Sequence, residues 1–427
     1  MIELLIIADD FTGALDTGVM FAQEGADTKV VTGENREIDR KEGGPLEVLV
    51  VDAETRHLPA DEAYRTVYRI IKRAKNAGVG CIFKKTDSAL RGNIGSELAA
   101  ALEASGETRL HFIPAFPRMN RITVKGIHYI DGVPVKESVF GQDPFDPVSG
   151  SCVADIIKSQ SSLPVTETWK DEIPKEEKTI VLHDVDCQER LEEIGAQLKK
   201  DGGLKVVAGC AGLASALPAL LGLGGRKQEL PEMKPNFLVM CGSVNPVTKK
   251  QLDYACSHGF TRIRLTPEEK LDHEYLTGPE GEAAICGWMK QLEESGRCII
   301  DTNDLPQGIR TMDYADEHNI DKDRMREEIA SNLGYILKRF LENGANCTVM
   351  ITGGDSLKGF MDQIHVNEII PLCELEPGIV LSRFQLDGEE HEIISKSGGF
   401  GGETLLVDLA ERFAALRKKN EPRFSAD

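Results

Sequence analysis

The sequence predicts an α/β fold of two α/β domains, each with a mostly parallel sheet, and an active-site cleft between the domains. Three observations support this prediction. Short β-branched runs alternate with helix-like segments along the whole chain, and a stretch rich in glycine, proline and charge, GLGGRKQELPEMKP, interrupts the alternation at residues 222–235. The 427 residues also exceed the roughly 250–300 that one core organises. We therefore expect an N-terminal domain over residues 1–228 and a C-terminal domain over residues 229–427.

The first domain alternates strand-like and helix-like segments. Residues 59–78 predict a helix, because apolar residues recur at helical spacing between a start with proline and acids and an end with lysine and glycine. Residues 122–163 are less regular and predict a hairpin or lid inserted in this domain. The predicted strands are LLIIAD from Leu4, EVLVVD from Glu47, CIFKK from Cys81, LHFIPA from Leu110, TIVLHD from Thr179 and LKVVAG from Leu204.

The alternation begins again after the linker. A long helix is predicted near residues 323–342, and strands are predicted on both sides of it. Strand followed by helix, repeated, is typical of a parallel sheet covered on both faces. The predicted strands are FLVMCGS from Phe237, RIRLT from Arg262, CIIDT from Cys298, CTVMITGGD from Cys347 and HEIISKSGGFGG from His391.

Composition excludes several classes of function. Lys plus Arg total 50 against 70 Asp plus Glu, and the formal charge of -20 argues against binding to nucleic acid or to an anionic membrane. The ten cysteines include no C-x-x-C pair, so neither a zinc site nor a redox motif is indicated. We expect a cytoplasmic protein, because the start MIELLIIADD is acidic and no apolar run approaches about 18 residues.

The segment ADDFTGALDTG, from Ala8 to Gly18, follows the first strand and opens a helix. Clustered carboxylates at the end of a strand can accept hydrogen bonds from a polyol or act as a general base, and Asp10 is the first candidate for that base. The alternative is an N-cap aspartate with a solvated neighbour.

The segment FKKTDSALRGN, from Phe83 to Asn93, predicts a site for an anion and hydroxyl groups. Arg91 can bind a carboxylate through two hydrogen bonds, and the lysines supply point charges. Adjacent residues of a strand face opposite sides, so Lys84 and Lys85 are expected to point away from each other, and the alternative for one of them is a solvated side chain. The other candidates in the segment are Thr86, Asp87 and Ser88.

Three segments of the second domain are candidate phosphate sites. In CGSVNPVT, Ser243 lies at a strand end before a helix, although an ordinary loop with a capping serine explains it equally well. In TGGDS, Gly353 and Gly354 permit a tight turn before Asp355 and Ser356, but the Walker A pattern is absent.

The third segment, SKSGGFGGE, places glycines between a strand and a helix, where Gly398 and Gly399 could form a phosphate cradle. The alternative is a flexible connector. Neither G-x-G-x-x-G early in a βαβ unit nor G-x-S-x-G is present, so dinucleotide oxidoreductases and α/β-hydrolases are not supported.

Taken in order, ADDFTGALDTG, the Thr-Arg of residues 55–56, KKTDSALRGN, PAFPRMNR, CGSVNPVT, GGDS and SKSGGFGG resemble the four-carbon acid sugar kinase family. This family includes D-threonate, D-erythronate and 3-oxo-tetronate kinases and was formerly described as Hrp-dependent type III effector-like proteins of unknown function. The resemblance implies ATP-dependent phosphorylation of the terminal hydroxyl of a tetronate, with the acid bound by the N-terminal domain and ATP by the C-terminal domain.

The resemblance places the acid near Asp10, Arg56 and residues 85–88, and ATP near Ser243, residues 353–356 and Gly399. It implies Mg²⁺, which phosphates and water would mostly hold. Glu403 and Asp87 remain alternatives to Asp10 as the base. The other functions left open are a nucleotide-binding regulatory or effector protein without turnover and a kinase of another small hydroxy acid. The expected partners are the sugar acid and ATP, and a homo-oligomer is compatible with the sequence.

Overall fold

The computed structural model of the protein describes residues 2–33, 38, 46–142, 147–174, 177–226, 231 and 233–420. The chain divides into two compact units, Met1–Gln228 and Glu229–Asp427. The predicted domain boundary after residue 228 lies outside the described residues.

The N-terminal unit is built around a parallel sheet. Its strands are β1 (Leu4–Ala8), β2 (Thr28–Thr32), β3 (Val48–Asp52), β4 (Cys81–Lys85), β5 (Arg109–Ile113), β6 (Arg121–Val124), β7 (Ile127–Ile130), β8 (Val133–Pro134), β9 (Val165–Glu167), β10 (Thr179–Leu182) and β11 (Val206–Gly209). Its helices are α1 (Phe11–Ala22), α2 (Ala60–Asn76), α3 (Ile94–Ser105), α4 (Val153–Gln160), α5 (Gln188–Asp201), α6 (Ala211–Ala214) and α7 (Leu217–Leu221).

The sheet order in this unit is β2-β3-β1-β4-β11-β5-β10-β9, and all of these pairings are parallel. β1 and β3 are buried at every position, as expected for strands covered on both faces. α2 begins with acids and ends with basic residues, which complements the helix dipole.

The irregular stretch at residues 122–163 contains an antiparallel hairpin. β6 and β7 pair from Arg121 with Ile130 to Val124 with Ile127, and β8 joins β7 to complete a small separate sheet. The predicted hairpin is therefore confirmed, while residues 143–146 of the same stretch lie outside the described part of the chain.

The C-terminal unit has a mixed sheet in the order β13-β14-β12-β15-β18-β17-β16. Its strands are β12 (Asn236–Cys241), β13 (Thr261–Arg264), β14 (Arg297–Asp301), β15 (Cys347–Thr352), β16 (Glu368–Glu376), β17 (Ile379–Leu386) and β18 (Glu389–Lys396). Its helices are α8 (Pro246–Ser257), α9 (Pro267–Leu271), α10 (His273–Thr277), α11 (Pro279–Ser295), α12 (Thr311–Glu317), α13 (Lys322–Glu342), α14 (Gly354–Gln363) and α15 (Leu405–Asn420).

In the part of the sheet with the order β13-β14-β12-β15-β18, every pair of neighbouring strands is parallel. β18, β17 and β16 form an antiparallel meander. The sequence analysis predicted β18 but neither β16 nor β17. The predicted fold class, α/β with mostly parallel sheets, is confirmed. Among the helices described, none combines the length and the apolar character needed to cross a membrane.

Candidate active site

Three neighbouring strands of the N-terminal unit bring the predicted sugar-acid residues together. β3, β1 and β4 are adjacent and parallel, with Ala8 paired to Asp52 and Ile7 paired to Lys84. The carboxyl ends of parallel strands lie at one edge of a sheet, where ligands commonly bind. The segments that meet there are residues 9–10 after β1, 54–56 after β3 and 85–88 at the end of β4.

Arg56 lies among three carboxylates. Its Nε and Nη2 are each 2.8 Å from Asp9 Oδ2, its Nη1 is 2.5 Å from Asp10 Oδ2, and its Nη2 is 3.7 Å from Asp87 Oδ1. Burial alone would lower the pKa of the Arg56 guanidinium, but the three carboxylates outweigh burial and hold the pKa well above its usual range. Arg56 is therefore a fixed positive charge that joins the segments after β1, β3 and β4.

Arg91 binds Asp87 through two parallel hydrogen bonds. Arg91 Nε donates to Oδ2 at 2.8 Å and Nη2 donates to Oδ1 at 3.1 Å. The backbone N–H groups of Ala89 and Arg91 also donate to Oδ2, each at 3.2 Å. Burial alone would raise the pKa of Asp87, but Arg91 and Arg56 hold it well below its usual range. A carboxylate held ionised in this way is a weak proton acceptor.

Asp10 is an N-cap, as one of the two sequence-based alternatives predicted, and its carboxylate also contacts Arg56. Its Oδ1 caps α1 by accepting the N–H of Gly13 at 2.8 Å, and its Oδ2 binds Arg56. Its side chain is 28% exposed, compared with 1% for Asp9. Asp10 is thus an N-cap whose carboxylate remains accessible to a ligand.

Two further predicted residues follow β4 in the same cluster. Lys85 Nζ donates to the carbonyl of Thr86 at 2.9 Å. Thr86 Oγ1 is buried and has no hydrogen-bond partner in the described part of the chain. Because an unpaired buried hydroxyl is unfavourable, Thr86 is suited to bind a polar ligand group. Ser88 Oγ accepts a hydrogen bond from Arg121.

The alternative that one of Lys84 and Lys85 is a solvated side chain is wrong. Lys84 is 0% exposed and Lys85 is 5% exposed. β4 is an internal strand, so helices cover both of its faces. Lys84 is paired with Glu97 of α3, whose Oε2 lies 2.9 Å from Lys84 Nζ.

The sequence analysis assigned no role to Asp9, Arg121 or Phe140. Asp9 Oδ1 is buried without a hydrogen-bond partner among the described residues. The guanidinium groups of Arg121 and Arg91 lie 5.4 Å and 5.2 Å from the centre of the Phe140 ring, within range of a cation–π interaction. Signals for two of these residues were present, because Asp9 is adjacent to Asp10 and Arg121 ends the segment PAFPRMNR.

In the C-terminal unit, a second set of strand ends collects the predicted phosphate residues. β12, β15 and β18 are adjacent and parallel, with Cys241 paired to Thr352 and Thr352 paired to Lys396. The segments that follow these strands therefore lie at one edge of the sheet. They are residues 242–245, 353–356 and 397–402.

Close contacts at this edge require glycine. A Cβ atom on Gly398 would lie 2.6 Å from Ser243 Oγ, and one on Gly242 would lie 1.8 Å from Ser356 Oγ. Gly353 has φ +100°, a conformation that favours glycine. Ser243, Ser356 and Gly398 consequently lie close together.

The other predicted residues of this unit are more peripheral. Gly354 is the first residue of α14. Asp355 is largely exposed and its Oδ2 lies 3.1 Å from Arg326 Nη2. Gly399 and Glu403 are exposed, and Glu403 lies two residues before α15.

No metal cage is evident in the part of the chain that the structure describes. Within it, no three His, Cys, Asp or Glu side chains converge in a way that could hold a metal ion. The glycine segments fit a phosphate-bearing ligand, and Mg²⁺ commonly binds such ligands mostly through phosphate oxygens and water.

Comparisons with known proteins agree with this division of the chain. Residues 4–217 match the family described as a sugar-binding N-terminal domain, and residues 238–406 match the family described as a nucleotide-binding C-terminal domain. The two matches give the class of protein, a sugar-binding domain followed by a nucleotide-binding domain. The chain belongs to the four-carbon acid sugar kinase family.

Relatives match over nearly their full lengths. A D-threonate kinase of Salmonella typhimurium is 28% identical over 425 residues, which cover 95% of this chain and 97% of that protein. A D-erythronate kinase of Heliobacterium modesticaldum is 28% identical over 439 residues, with 94% of each chain covered. The crystal structure of a Haemophilus influenzae protein has the same fold, with a TM-score of 0.68 at 20% identity over 96% of this chain and 100% of that one.

Proposed function

We propose that this protein transfers the γ-phosphoryl group of ATP to the terminal (4-) hydroxyl of a four-carbon sugar acid such as D-threonate or D-erythronate. The observation that carries the proposal is the cluster around Arg56, where buried cations and carboxylates from three strand ends meet. A sugar acid presents one carboxylate and several hydroxyls, so it needs a fixed cation and several hydrogen-bond acceptors. In a chain of net charge -20, the cations must be placed locally.

Seven residues would bind the sugar acid: Asp10, Arg56, Lys85, Thr86, Asp87, Ser88 and Arg91. The cations suit the carboxylate of the substrate, and the aspartates suit its hydroxyl groups. The unpaired hydroxyl of Thr86 supports a role in binding, because a ligand would supply its missing hydrogen bond. Asp87 would also hold Arg91 in place through their two hydrogen bonds.

Asp10 is our proposed general base. Its carboxylate is more exposed than that of Asp9, so a substrate hydroxyl can reach it. Asp87 is a weaker candidate because two arginines keep it ionised and bound. Glu403 remains an alternative base and belongs to the other unit.

ATP would bind to the C-terminal unit at Ser243, Gly353, Gly354, Asp355, Ser356, Gly398 and Gly399. Close backbone approach at Gly398 and the turn at Gly353 support a phosphate site, because amide groups freed at strand–helix turns bind phosphate oxygens. When bound, Mg²⁺ would neutralise charge on the phosphate chain. The protein's own contribution is to position the two substrates and to accept the hydroxyl proton.

The test is an assay of ADP release with ATP, Mg²⁺ and a panel of four-carbon sugar acids that includes D-threonate, D-erythronate and 3-oxo-tetronate. We expect turnover with at least one of them and a 4-phosphorylated product by mass spectrometry and NMR. Nucleotide binding without turnover on any acid would contradict the proposal and favour a regulatory protein. Turnover only with other hydroxy acids would support kinase activity but contradict a four-carbon sugar acid as the substrate.

A further inference from the structure

Lys396 is a buried cation that pairs with no carboxylate among the residues the structure describes. It is the last residue of β18 and is 2% exposed. Its Nζ donates to Thr248 Oγ1 at 3.2 Å and to the carbonyl oxygens of Ser397 and Gly398 at 3.1 Å and 3.3 Å. All three acceptors are neutral, and no ion pair of Lys396 occurs within the described residues. Burial of an ammonium group with neutral partners alone is unfavourable, so a negatively charged ligand would complete its surroundings.

The hydrogen bonds of Lys396 also orient the glycine segment. In a trans peptide the C=O and the following N–H point in opposite directions. Since the carbonyls of Ser397 and Gly398 face Lys396, the N–H groups of Gly398 and Gly399 face away from it. Thr248 Oγ1 donates to the carbonyl of Gly398 at 2.7 Å and strengthens this arrangement.

The two amides are available to a ligand. In the described part of this unit, neither Gly398 nor Gly399 donates its N–H to another residue. Gly399 is exposed and Gly398 is partly exposed. Two neighbouring amides that point in one direction, with a positive charge behind them, favour an anion with several oxygens.

We propose that Lys396 is the charge that anchors the polyphosphate chain of the nucleotide, acting from behind residues 397–399. The ammonium group holds the two carbonyls, and the opposite ends of the same peptides donate N–H groups to phosphate oxygens. The hydrogen bond from the ammonium to each carbonyl also polarises that peptide group, and its N–H becomes a stronger donor to phosphate oxygens. This inference rests on the proposed function and adds that the site recognises phosphate groups through Lys396, a buried lysine behind a glycine segment.

The ligand class is therefore a di- or triphosphate, with inorganic pyrophosphate as the smallest probe. A ligand recognised mainly through its base would be insensitive to Lys396. If Lys396 binds the phosphate groups, removal of its charge should instead abolish most of the affinity that the phosphate chain gives to ADP.

The experiment uses the full chain and measures binding of ADP and of pyrophosphate by calorimetry. The variants are Lys396→Met, which removes the charge at similar volume, and Lys396→Gln, which can still donate to the carbonyls. Lys250→Met is the matched control, because Lys250 is an exposed lysine of α8. We expect Lys396→Met to weaken both ligands by about tenfold to hundredfold. Lys396→Gln should lie between Lys396→Met and the wild type, and Lys250→Met should change affinity less than about twofold.

Thermal unfolding separates this role from a purely structural one. Removing a buried charge that has no carboxylate partner among the described residues should leave the melting temperature of the ligand-free protein unchanged or raised, while ADP binding is weakened. A lowered melting temperature with ADP affinity within about twofold of wild type would overturn the inference and make Lys396 a structural residue. If Lys396→Met does not fold, unchanged ADP affinity of Lys396→Gln would overturn it as well. If the wild type binds neither ADP nor ATP, the proposed function itself is contradicted. If the wild type binds ADP and the variants bind it equally well, only the inference about Lys396 is contradicted.

Discussion

Lys84 Nζ lies 2.9 Å from Glu97 Oε2, and the two side chains are 0% and 1% exposed. Glu97 also accepts a hydrogen bond from the hydroxyl of Thr55, the residue before Arg56. Burial raises the pKa of Glu97, although the charge of Lys84 opposes that rise. This ion pair therefore lies beneath the candidate sugar-acid site and connects β4 and α3 to the segment that carries Arg56.

Replacing Glu97 with alanine should lower the free energy of unfolding by about 3–5 kcal/mol, because Lys84 would remain buried without its partner. Urea denaturation measures this change. Glu62→Ala is the control, since Glu62 is exposed in the first turn of α2 and should cost less than about 1 kcal/mol. A loss below about 1 kcal/mol in Glu97→Ala would mean that the ion pair is not required for stability.

Arg56→Lys should raise KM for the sugar acid by about tenfold to hundredfold, equivalent to about 1.5–3 kcal/mol, with ATP affinity nearly unchanged. Lysine retains the positive charge but cannot reproduce the hydrogen bonds to both Asp9 and Asp10. Steady-state kinetics and calorimetry with ADP measure the two effects. If the variant loses nucleotide affinity and keeps its KM for the acid, our assignment of the acid to the N-terminal unit is incorrect.

Asp87→Ala should also weaken use of the sugar acid, by about 1.5–3 kcal/mol in kcat/KM. The reason is that Arg91 loses both of its side-chain hydrogen bonds to Asp87 and is no longer held in position. Addition of ADP should give the same binding heat as in the wild type. A normal kcat/KM in this variant would show that neither Asp87 nor its hold on Arg91 is needed for use of the sugar acid.

Asp10→Asn should lower kcat by about 10² to 10⁴ if Asp10 is the general base, with ATP binding retained. Asparagine still accepts the N–H of Gly13, so the cap of α1 is largely preserved. Glu403→Gln is the comparison, and it should leave kcat nearly unchanged. A raised KM at normal kcat in Asp10→Asn would make Asp10 a binding residue, and a large fall in kcat for Glu403→Gln would identify Glu403 as the base.

Gly399→Val should abolish or severely weaken ATP binding without unfolding the protein. A Cβ atom at this position would meet only Asn245 Nδ2, at 3.6 Å, and Gly399 is not among the glycines with positive φ. Its side chain would instead occupy the space in front of the two amides. Calorimetry with ATP and a thermal unfolding curve decide the matter. Normal ATP affinity in the folded variant would indicate that residues 395–406 only connect β18 to α15 and do not bind phosphate.

Affinity for ADP should fall as the pH rises above 8. Burial lowers the pKa of Lys396 to about 8, so the ammonium is charged below that pH and loses its proton above it. Among the groups around it, Thr248 does not titrate, and burial raises the pKa of Cys241 to about 12, which keeps that thiol neutral. We expect about a tenfold loss of affinity per pH unit above 8, until the pKa of the bound form is reached.

Calorimetry between pH 7 and 9.5 tests this dependence, with Lys396→Met as the control. The variant should bind weakly at every pH with a flat profile. A wild-type affinity that is constant over this range would show that the charge of Lys396 does not contribute to binding.

The sequence determined the fold class, the alternation of strands and helices, and the segments that lie at strand ends. These features are local, because β-branched runs, helix signals and glycine turns act within a few residues. The hairpin of β6 and β7 was predicted for the same reason. β16 and β17 were missed although a turn signal was present, because Asp387 and Gly388, both at positive φ, form the two-residue turn between β17 and β18.

Only the tertiary structure decided which side chains meet. Arg56 reaches Asp9 and Asp10 across 47 and 46 residues, and this contact depends on β1 and β3 being neighbours in the sheet. Burial was equally unpredictable. Lys84 was expected to be solvated or in the site, yet it pairs with Glu97, and Lys396 is buried among neutral oxygens. The depth of a side chain and its partners depend on how separate elements pack, which no short stretch of sequence specifies.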